Sequence, residues 1–431
     1  MMKRYRYSDL SAEEINRLCR RPKMDFATVF EAVEPIIDEV RRRGDSAVAT
    51  YTEKYDGFLP DPLVIDPATF NIELARKRRE AIDRAFENIH RFHKAQLDST
   101  LEVETMAGVR CMRVTRAIDR VGLYVPGGNA ILPSTLMMLG IPAMLAGVEQ
   151  LVVATPPGPD GAVAPEILYI AQKLNIRSLV KAGGAQAVAA MAWGTETVPK
   201  VDKIVGPGNQ YVTAAKMWLQ NSEAMISIDM PAGPSEVLVI ADHTANPAFV
   251  ASDLLSQAEH GSDSQVVLVA TTDADLDAID RQLSHQLEDL PRKEMAEGAL
   301  ENSFAVIVDS IEEAFDFSNS YAPEHLVIPC EDADRWVQQI KHAGSVFLGP
   351  WSPESAGDYA SGTNHTLPTY GYARIYSGVS TDTFTKQITL QQLDQTGIKA
   401  LGPVIAELAD IEQLEGHRRS VTLRLEKLNN Q

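Results

Sequence analysis

The sequence predicts an α/β protein built on two parallel sheets with helices on both faces. From residue 121 onward, short apolar runs alternate with helical stretches, which is the order of successive βα units. The runs are apolar throughout rather than alternating with polar residues, as strands buried on both faces require. A length of 431 residues is enough to bury several cores without disulfide or metal staples.

Taken in order, residues 1–100 read as helices. Glu31–Arg43 sets Val33, Ile36, Ile37 and Val40 at helical spacing and closes on a basic turn. Asp66–Gln96 carries Arg76-Lys77-Arg78-Arg79, read as a solvated helix face, and His90 and His93 read as surface residues beside Arg91 and Lys94. Candidate strands follow at Val121–Val125, Leu151–Ala154, Ser178–Val180, Ile204–Val205 and Val237–Ile240. Their starts are about 25–30 residues apart, the length of one βα unit. A second series, Val266–Ala270, Phe304–Val308, Leu326–Ile328 and Ser345–Leu348, is separated by helical stretches at Asp273–Glu288, Ile311–Asn319 and Asp332–Lys341. No Ser- or Pro-rich linker marks the boundary near residue 230, so no flexible tether divides the sheets. After residue 385 the chain returns to helix, at Leu401–Leu408 and Ser420–Leu428.

Composition narrows the function. Apolar residues make up 45% and charged residues 23%, as in ordinary globular proteins. Asp and Glu outnumber Lys and Arg by 59 to 40, a net charge of -19, which works against nucleic acid and against anionic membrane surfaces as partners. Cys19, Cys111 and Cys330 are far apart and form no CxxC pair, which fits a reducing compartment. The basic N-terminus is not followed by an apolar run, and Pro133 and Pro142 break the most apolar segment, Ile131–Val148. A secretory signal and a membrane span are therefore not expected, and the cytoplasm is.

The candidate chemistry lies in turns and polar clusters. The dinucleotide fingerprint GxGxxG is absent: Gly206-Pro207-Gly208-Asn209-Gln210-Tyr211 places Tyr211 where the third glycine would stand. A nucleotide site in the glycine turns competes with plain tight turns. Gln257 and His260, three apart, share one helix face. Asp358 through His365 lies in an aperiodic Gly/Ser segment that reads as a functional loop. Pro323-Glu324-His325 precedes a strand, and His417 follows Gly416. Two imidazoles, a carboxylate and an amide oxygen would suit Zn²⁺ or Mn²⁺; hydrogen-bonded polar residues around turns are the alternative. Glu324-His325 suits acid–base work, with a packed strand start as the alternative. His243, His285 and His342 read as exposed.

Seven segments, in chain order, resemble the L-histidinol dehydrogenase family: Val121–Gly128, Gly183–Ala187, Gly206–Asn209, Asp229–Glu236, Ser256–Gly261, Tyr321–Leu326 and Ser361–His365. The resemblance implies a two-step oxidation of L-histidinol through L-histidinaldehyde to L-histidine, with two NAD⁺ and one Zn²⁺ per subunit. It implies Gln257, His260, Asp358 and His417 as zinc ligands, His417 reaching in from the partner subunit of a homodimer. Substrate contacts would be Ser235, Gln257, His260, His325, Asp358, Glu412 and His417, and NAD⁺ contacts Tyr124, Gln186 and Asn209. His325 would move the proton in both oxidations, Glu324 would activate the water that adds to the aldehyde, and His365 would be an auxiliary group.

The fold implied is a pair of incomplete Rossmann-like parallel-sheet domains with small helical N- and C-terminal extensions. Its expected layout is a helical extension at 1–25, a discontinuous α/β domain at 26–120 plus 235–380, a second α/β domain at 121–234, and a helical segment at 381–431 exchanged in the dimer. Two other readings stay open at this level. One is a relative that oxidises another polar alcohol, such as a sulfonated diol, against which Glu412 speaks. The other is a non-catalytic ligand-binding protein, against which Glu324-His325 speaks.

Overall fold

Strands with both faces buried organise the larger part of the chain. In Gln150–Thr155, Glu236–Ala241 and Gln265–Thr271 nearly every residue is buried, so each strand must be covered by helices above and below. The computed structural model describes residues 2–21, 26–97, 100–127, 131–230 and 233–430. They fall into two units, Met1–Gln96 with Ile118–Phe384, and Leu97–Ala117 with Thr385–Gln431. Gly128, Pro231 and Ala232, which belong to the motifs above, lie outside the described residues.

The first unit contains both predicted sheets. One has the order Val64–Ile65, Ser178–Lys181, Gln150–Thr155, Arg120–Tyr124, Lys203–Val205, Ser227–Ile228. It is parallel except for the antiparallel edge strand Val64–Ile65. The other has the order Lys3–Arg6, Phe304–Val308, Gln265–Thr271, Glu236–Ala241, His325–Ile328, Ser345–Leu348 and is parallel throughout. The chain order reverses beside Arg120–Tyr124 in one sheet and beside Glu236–Ala241 in the other, and such switch points open a crevice for ligands.

Two expected boundaries move. Residues 26–96 do not join the sheet of 235–380. Val29, Val33, Ile37 and Val40 of helix Phe26–Arg43 pack with Val188, Val212 and Leu219, and Val64–Ile65 extends that same sheet. The helix has an apolar stripe to bury, and the sheet of 120–228 offers the matching face. The N-terminus is likewise not wholly helical: Lys3–Arg6 pairs with Phe304–Val308 as an edge strand, followed by helix Ala12–Leu18. His93 is fully buried rather than on the surface. It continues the stripe Ile82, Ala85, Ile89 on helix Arg76–Lys94, and its Nδ1 lies 2.9 Å from the Ile89 carbonyl. His342 is half-buried, whereas His243 and His285 are exposed as expected.

The second unit corrects the all-helical reading of the C-terminus. Thr385–Leu393 pairs antiparallel with Val109–Ala117, which pairs with Leu101–Met106. Helices Gln395–Ile411 and Glu415–Asn429 follow and pack closely, with Gly402 against Leu425. Leu101, Val103, Ile388, Leu390, Leu408 and Ile411 of this unit are exposed. Among the described residues no helix is long and apolar enough to cross a membrane.

One buried ion pair fixes the turn after Lys203–Val205. Gly206 adopts φ 137, and a Cβ there would lie 2.2 Å from the Tyr124 carbonyl oxygen, so only glycine fits. Its N–H donates to Asp229 Oδ2 at 2.7 Å and its carbonyl accepts from Lys216 Nζ at 2.8 Å. Lys216 and Asp229 are themselves paired, with side chains 1% and 2% exposed. Replacing Lys216 with Met leaves the Asp229 carboxylate buried and uncompensated, which costs about 3–5 kcal/mol. Urea unfolding of Lys216→Met should show that loss; an unchanged midpoint would mean the pair contributes nothing.

Candidate active site

The sheets present opposite ends to one cavity. Glu324 and His325 stand at the amino end of His325–Ile328, and Ser235 immediately precedes Glu236–Ala241. Helix Pro247–Ala258 returns from the far end of its strand, so its C-terminus brings Gln257 and His260 back to the same edge. Asp358 comes from helix Glu354–Tyr359. From the other sheet, the turns after Arg120–Tyr124 and Lys203–Val205 supply Pro126, Gly208 and Asn209. These residues line a cavity of about 370 Å³, together with His365.

His325 is the hub. Its Nδ1 lies 3.2 Å from the Glu236 carbonyl and 3.6 Å from Glu324 Oε2. Its Nε2 lies 3.3 Å from Asp358 Oδ1 and 3.7 Å from Glu354 Oε1, but makes no well-formed hydrogen bond. With Nδ1–H donating to the Glu236 carbonyl, Nε2 is left to take up a proton. Burial pushes the Glu324 carboxyl up to about 8. Burial alone would lower His325, yet Glu324, Asp358 and Glu354 raise it to about 10, while the interactions with His325 hold Asp358, despite its burial, below the usual carboxylate range. Three carboxylates around one imidazole in a buried space call for positive charge.

The same cluster has room for a metal ligand set. Glu354 accepts a hydrogen bond from Gln257 Nε2 with one oxygen and, at 2.7 Å, from Ser256 Oγ with the other. That fixes the Gln257 amide by its hydrogen bonds and leaves Gln257 Oε1 buried without a partner. An orphaned amide oxygen sharing a cavity with His260 and Asp358 fits the mixed N/O preference of Zn²⁺. Among the described residues the tightest group of His and carboxylate ligand atoms is His325, Glu354 and Asp358, within 4.8 Å of one another. Since both Glu354 oxygens are engaged, Glu354 orients Gln257 rather than adding a free ligand.

A second cavity, of about 470 Å³, lies at the carboxyl ends of the first sheet. Tyr124, Gln186 and Asn209 line it, with Gly183 and Gly184 opening helix Gly184–Trp193. The Tyr124 hydroxyl accepts the Gly184 N–H at 3.0 Å. A helix N-terminus lining a cavity suits phosphate.

Known proteins match this arrangement over nearly its whole length. The family profile described as "Histidinol dehydrogenase" matches residues 19–425. The chain is 57% identical over 429 residues to "Histidinol dehydrogenase, chloroplastic" of Arabidopsis thaliana, covering 99% of this chain and 92% of that one. It is 51% identical over 426 residues to "Histidinol dehydrogenase" of Schizosaccharomyces pombe, covering 97% of each. A crystal structure of histidinol dehydrogenase from Elizabethkingia anophelis superposes with TM-score 0.94 at 47% identity, over 99% of both chains. The chain belongs to the histidinol dehydrogenase family. Nothing in these matches supports the reading as a relative acting on a different polar alcohol.

Within this member of the histidinol dehydrogenase family, the expected site residues fall into three groups. Ser235, Gln257, His260, Glu324, His325, Asp358 and His365 line the first cavity. Tyr124, Gln186 and Asn209 line the second, and Asn209 lines both. Glu412 and His417 lie in the second unit and are exposed. Sequence reading missed Glu354 and Glu236. Glu354 sits four residues before Asp358 on one short helix, a spacing that places both carboxylates on one face; Glu236 closes the Asp229–Glu236 motif, which signalled the segment but not a role for this side chain.

Asp253 is a further buried carboxyl behind the site, 6% exposed, within 3.4 Å of the Glu354 N–H. Burial raises it from the usual range to about 6. An acid whose pKa is raised on folding binds its proton more tightly when folded, so stability falls as pH rises from about 4 to 6. Asp253→Asn removes that loss. Its unfolding midpoint should exceed that of the unaltered protein at pH 7.5, with a smaller advantage at pH 4.5; the opposite order would refute the assignment.

Proposed function

We propose that this chain oxidises L-histidinol to L-histidine through L-histidinaldehyde. The overall balance is RCH₂OH + 2 NAD⁺ + H₂O → RCOO⁻ + 2 NADH + 3 H⁺. The observation that carries the reading is the buried Glu324–His325 pair in a cavity that also holds Gln257, His260 and Asp358 and reaches the dinucleotide groove at Asn209. NAD⁺, when bound against Tyr124, Gln186 and Asn209, supplies the hydride acceptor. Zn²⁺, when held by Gln257, His260, Asp358 and His417, supplies positive charge and a fixed anchor for the substrate's imidazole and amine.

The chain's own groups do the rest. His325, neutral once a bound cation offsets the carboxylates that raise it, would take the hydroxyl proton on Nε2 as the carbinol carbon loses hydride. The aldehyde cannot lose a second hydride to reach the acid until water adds. Glu324, held out of water and with a raised pKa, takes a proton from that water. His325 then takes the hydrate's hydroxyl proton in the second oxidation. Ser235 and Glu412 complete the substrate contacts, and His365, whose Nδ1 lies 2.8 Å from the Asp358 carbonyl, steadies Asp358.

Glu412 and His417 are assigned to the partner's site in a homodimer. Two features support this: both are exposed in the single chain, and their unit carries several exposed apolar residues that a subunit contact would cover. Residence in the cytoplasm remains part of the same proposal, although the Arabidopsis thaliana relative is named chloroplastic.

Zinc-loaded protein should form two NADH per L-histidinol and lose activity on chelation; absence of turnover with metal present would overturn the reading. His325→Gln should lower alcohol oxidation about 10²–10⁴-fold, the usual contribution of a proton-transfer group. Glu324→Gln should slow aldehyde conversion far more than alcohol oxidation in single-turnover assays. Equal losses in both half-reactions would remove Glu324 from the water step.

A further inference from the structure

Arg21 touches both segments that carry the Glu324–His325 pair. Its side chain is 6% exposed. Nε donates to Glu236 Oε2 at 2.6 Å. Nη1 donates to the Tyr321 and Cys19 carbonyls, each at 2.8 Å, and Nη2 lies 3.4 Å from the Ala322 carbonyl. The guanidinium also covers the Tyr321 ring, 3.5 Å from its centroid. This single group thus uses its charge, its fork of donors and its flat face together.

Both contacts lead to the chemistry. The peptide groups of Glu236 serve the pair directly: its N–H donates to Glu324 Oε2 at 2.9 Å, and its carbonyl lies 3.2 Å from His325 Nδ1. The Glu236 side chain is held on its other oxygen by the Tyr370 N–H at 2.5 Å and by the Tyr321 hydroxyl at 3.0 Å from Oε2. Tyr321 and Ala322 form the turn just before Pro323-Glu324-His325, and Ala322 sits at φ 54, a left-handed conformation that alanine adopts only when its surroundings hold it. A residue some 200 positions away in sequence, on a segment outside both arms, therefore fixes the backbone on either side of the pair.

We propose that Arg21 is a positioning residue for the reaction: by clamping Glu236 and the Tyr321–Ala322 turn, it sets the aim of Glu324 and His325. The proposal rests on the oxidation of L-histidinol described above. A misplacement of about 1 Å costs on the order of 10²-fold in rate. The test uses zinc-loaded Arg21→Met with L-histidinol carrying deuterium at the carbinol carbon. The expected result is kcat lower by about 10²-fold with a larger primary isotope effect on kcat, because a misaimed proton acceptor slows the bond-breaking step. KM and bound zinc should stay within threefold of the unaltered protein, and Arg21→Lys should recover part of the rate.

The isotope effect separates positioning from mere stability. A partly unfolded sample loses rate in proportion to its active fraction and keeps the isotope effect unchanged. That result overturns the proposal, as does full activity in folded Arg21→Met, or a rate loss explained by lost zinc. If Arg21→Met does not fold, Glu236→Gln, which keeps the side-chain volume, gives the same readouts with the same meanings. Absence of turnover in the unaltered protein would instead count against the proposed reaction.

Discussion

Opposed strand polarity governs this site. In a parallel sheet every strand points the same way, so loops at one end open helices and loops at the other end receive them. The sheet of 120–228 turns its carboxyl ends to the cavity and offers glycine turns and a helix N-terminus. The sheet of 236–348 turns its amino ends and offers a helix C-terminus bearing Gln257 and His260, and strand starts bearing Ser235 and His325. One edge suits a phosphate-bearing cofactor, the other a cluster of side chains. Neither sheet alone could supply both.

The second edge is costly to maintain. Glu324, Glu354 and Asp358 are all buried within reach of one imidazole, and Glu236, also buried, touches the pair through its peptide groups. Such a cluster persists only when each oxygen is engaged, and most are: by Arg21, by Tyr321, by backbone N–H groups, by Gln257 and Ser256. Beside them, Gln257 Oε1 and His325 Nε2 are buried without a partner, and the proposed reaction uses both. Stability is spent where side chains are held and left unspent where they act.

Much of this was legible in the sequence. The buried strands announced themselves through uninterrupted apolar runs, and all nine candidate strands between 121 and 348 formed. Most predicted residues that line the first cavity fell in the ordered motifs, Asp358 being outside them; spacing spoke for Gln257 and His260, and could have spoken for Glu354 and Asp358. Partners distant in sequence stayed hidden: Arg21 meets Glu236 across the fold, and nothing local to either signals the other. The antiparallel strands Leu101–Met106 and Thr385–Leu393 were missed because most of their residues stay exposed, which blunts the apolar signal. His93 was misjudged because charged neighbours on the helix masked the stripe it continues.

The two cavities overlap, among the described residues, at Asn209. The groove beside Tyr124 and Gln186 does not include Glu324, His325 or Asp358. On the proposed reading, a dinucleotide in that groove departs and is replaced without passing the polar cluster. For a four-electron oxidation run with a two-electron carrier, that proposed layout would favour processive over distributive turnover, the carrier exchanging at one door while the half-oxidised product stays behind another.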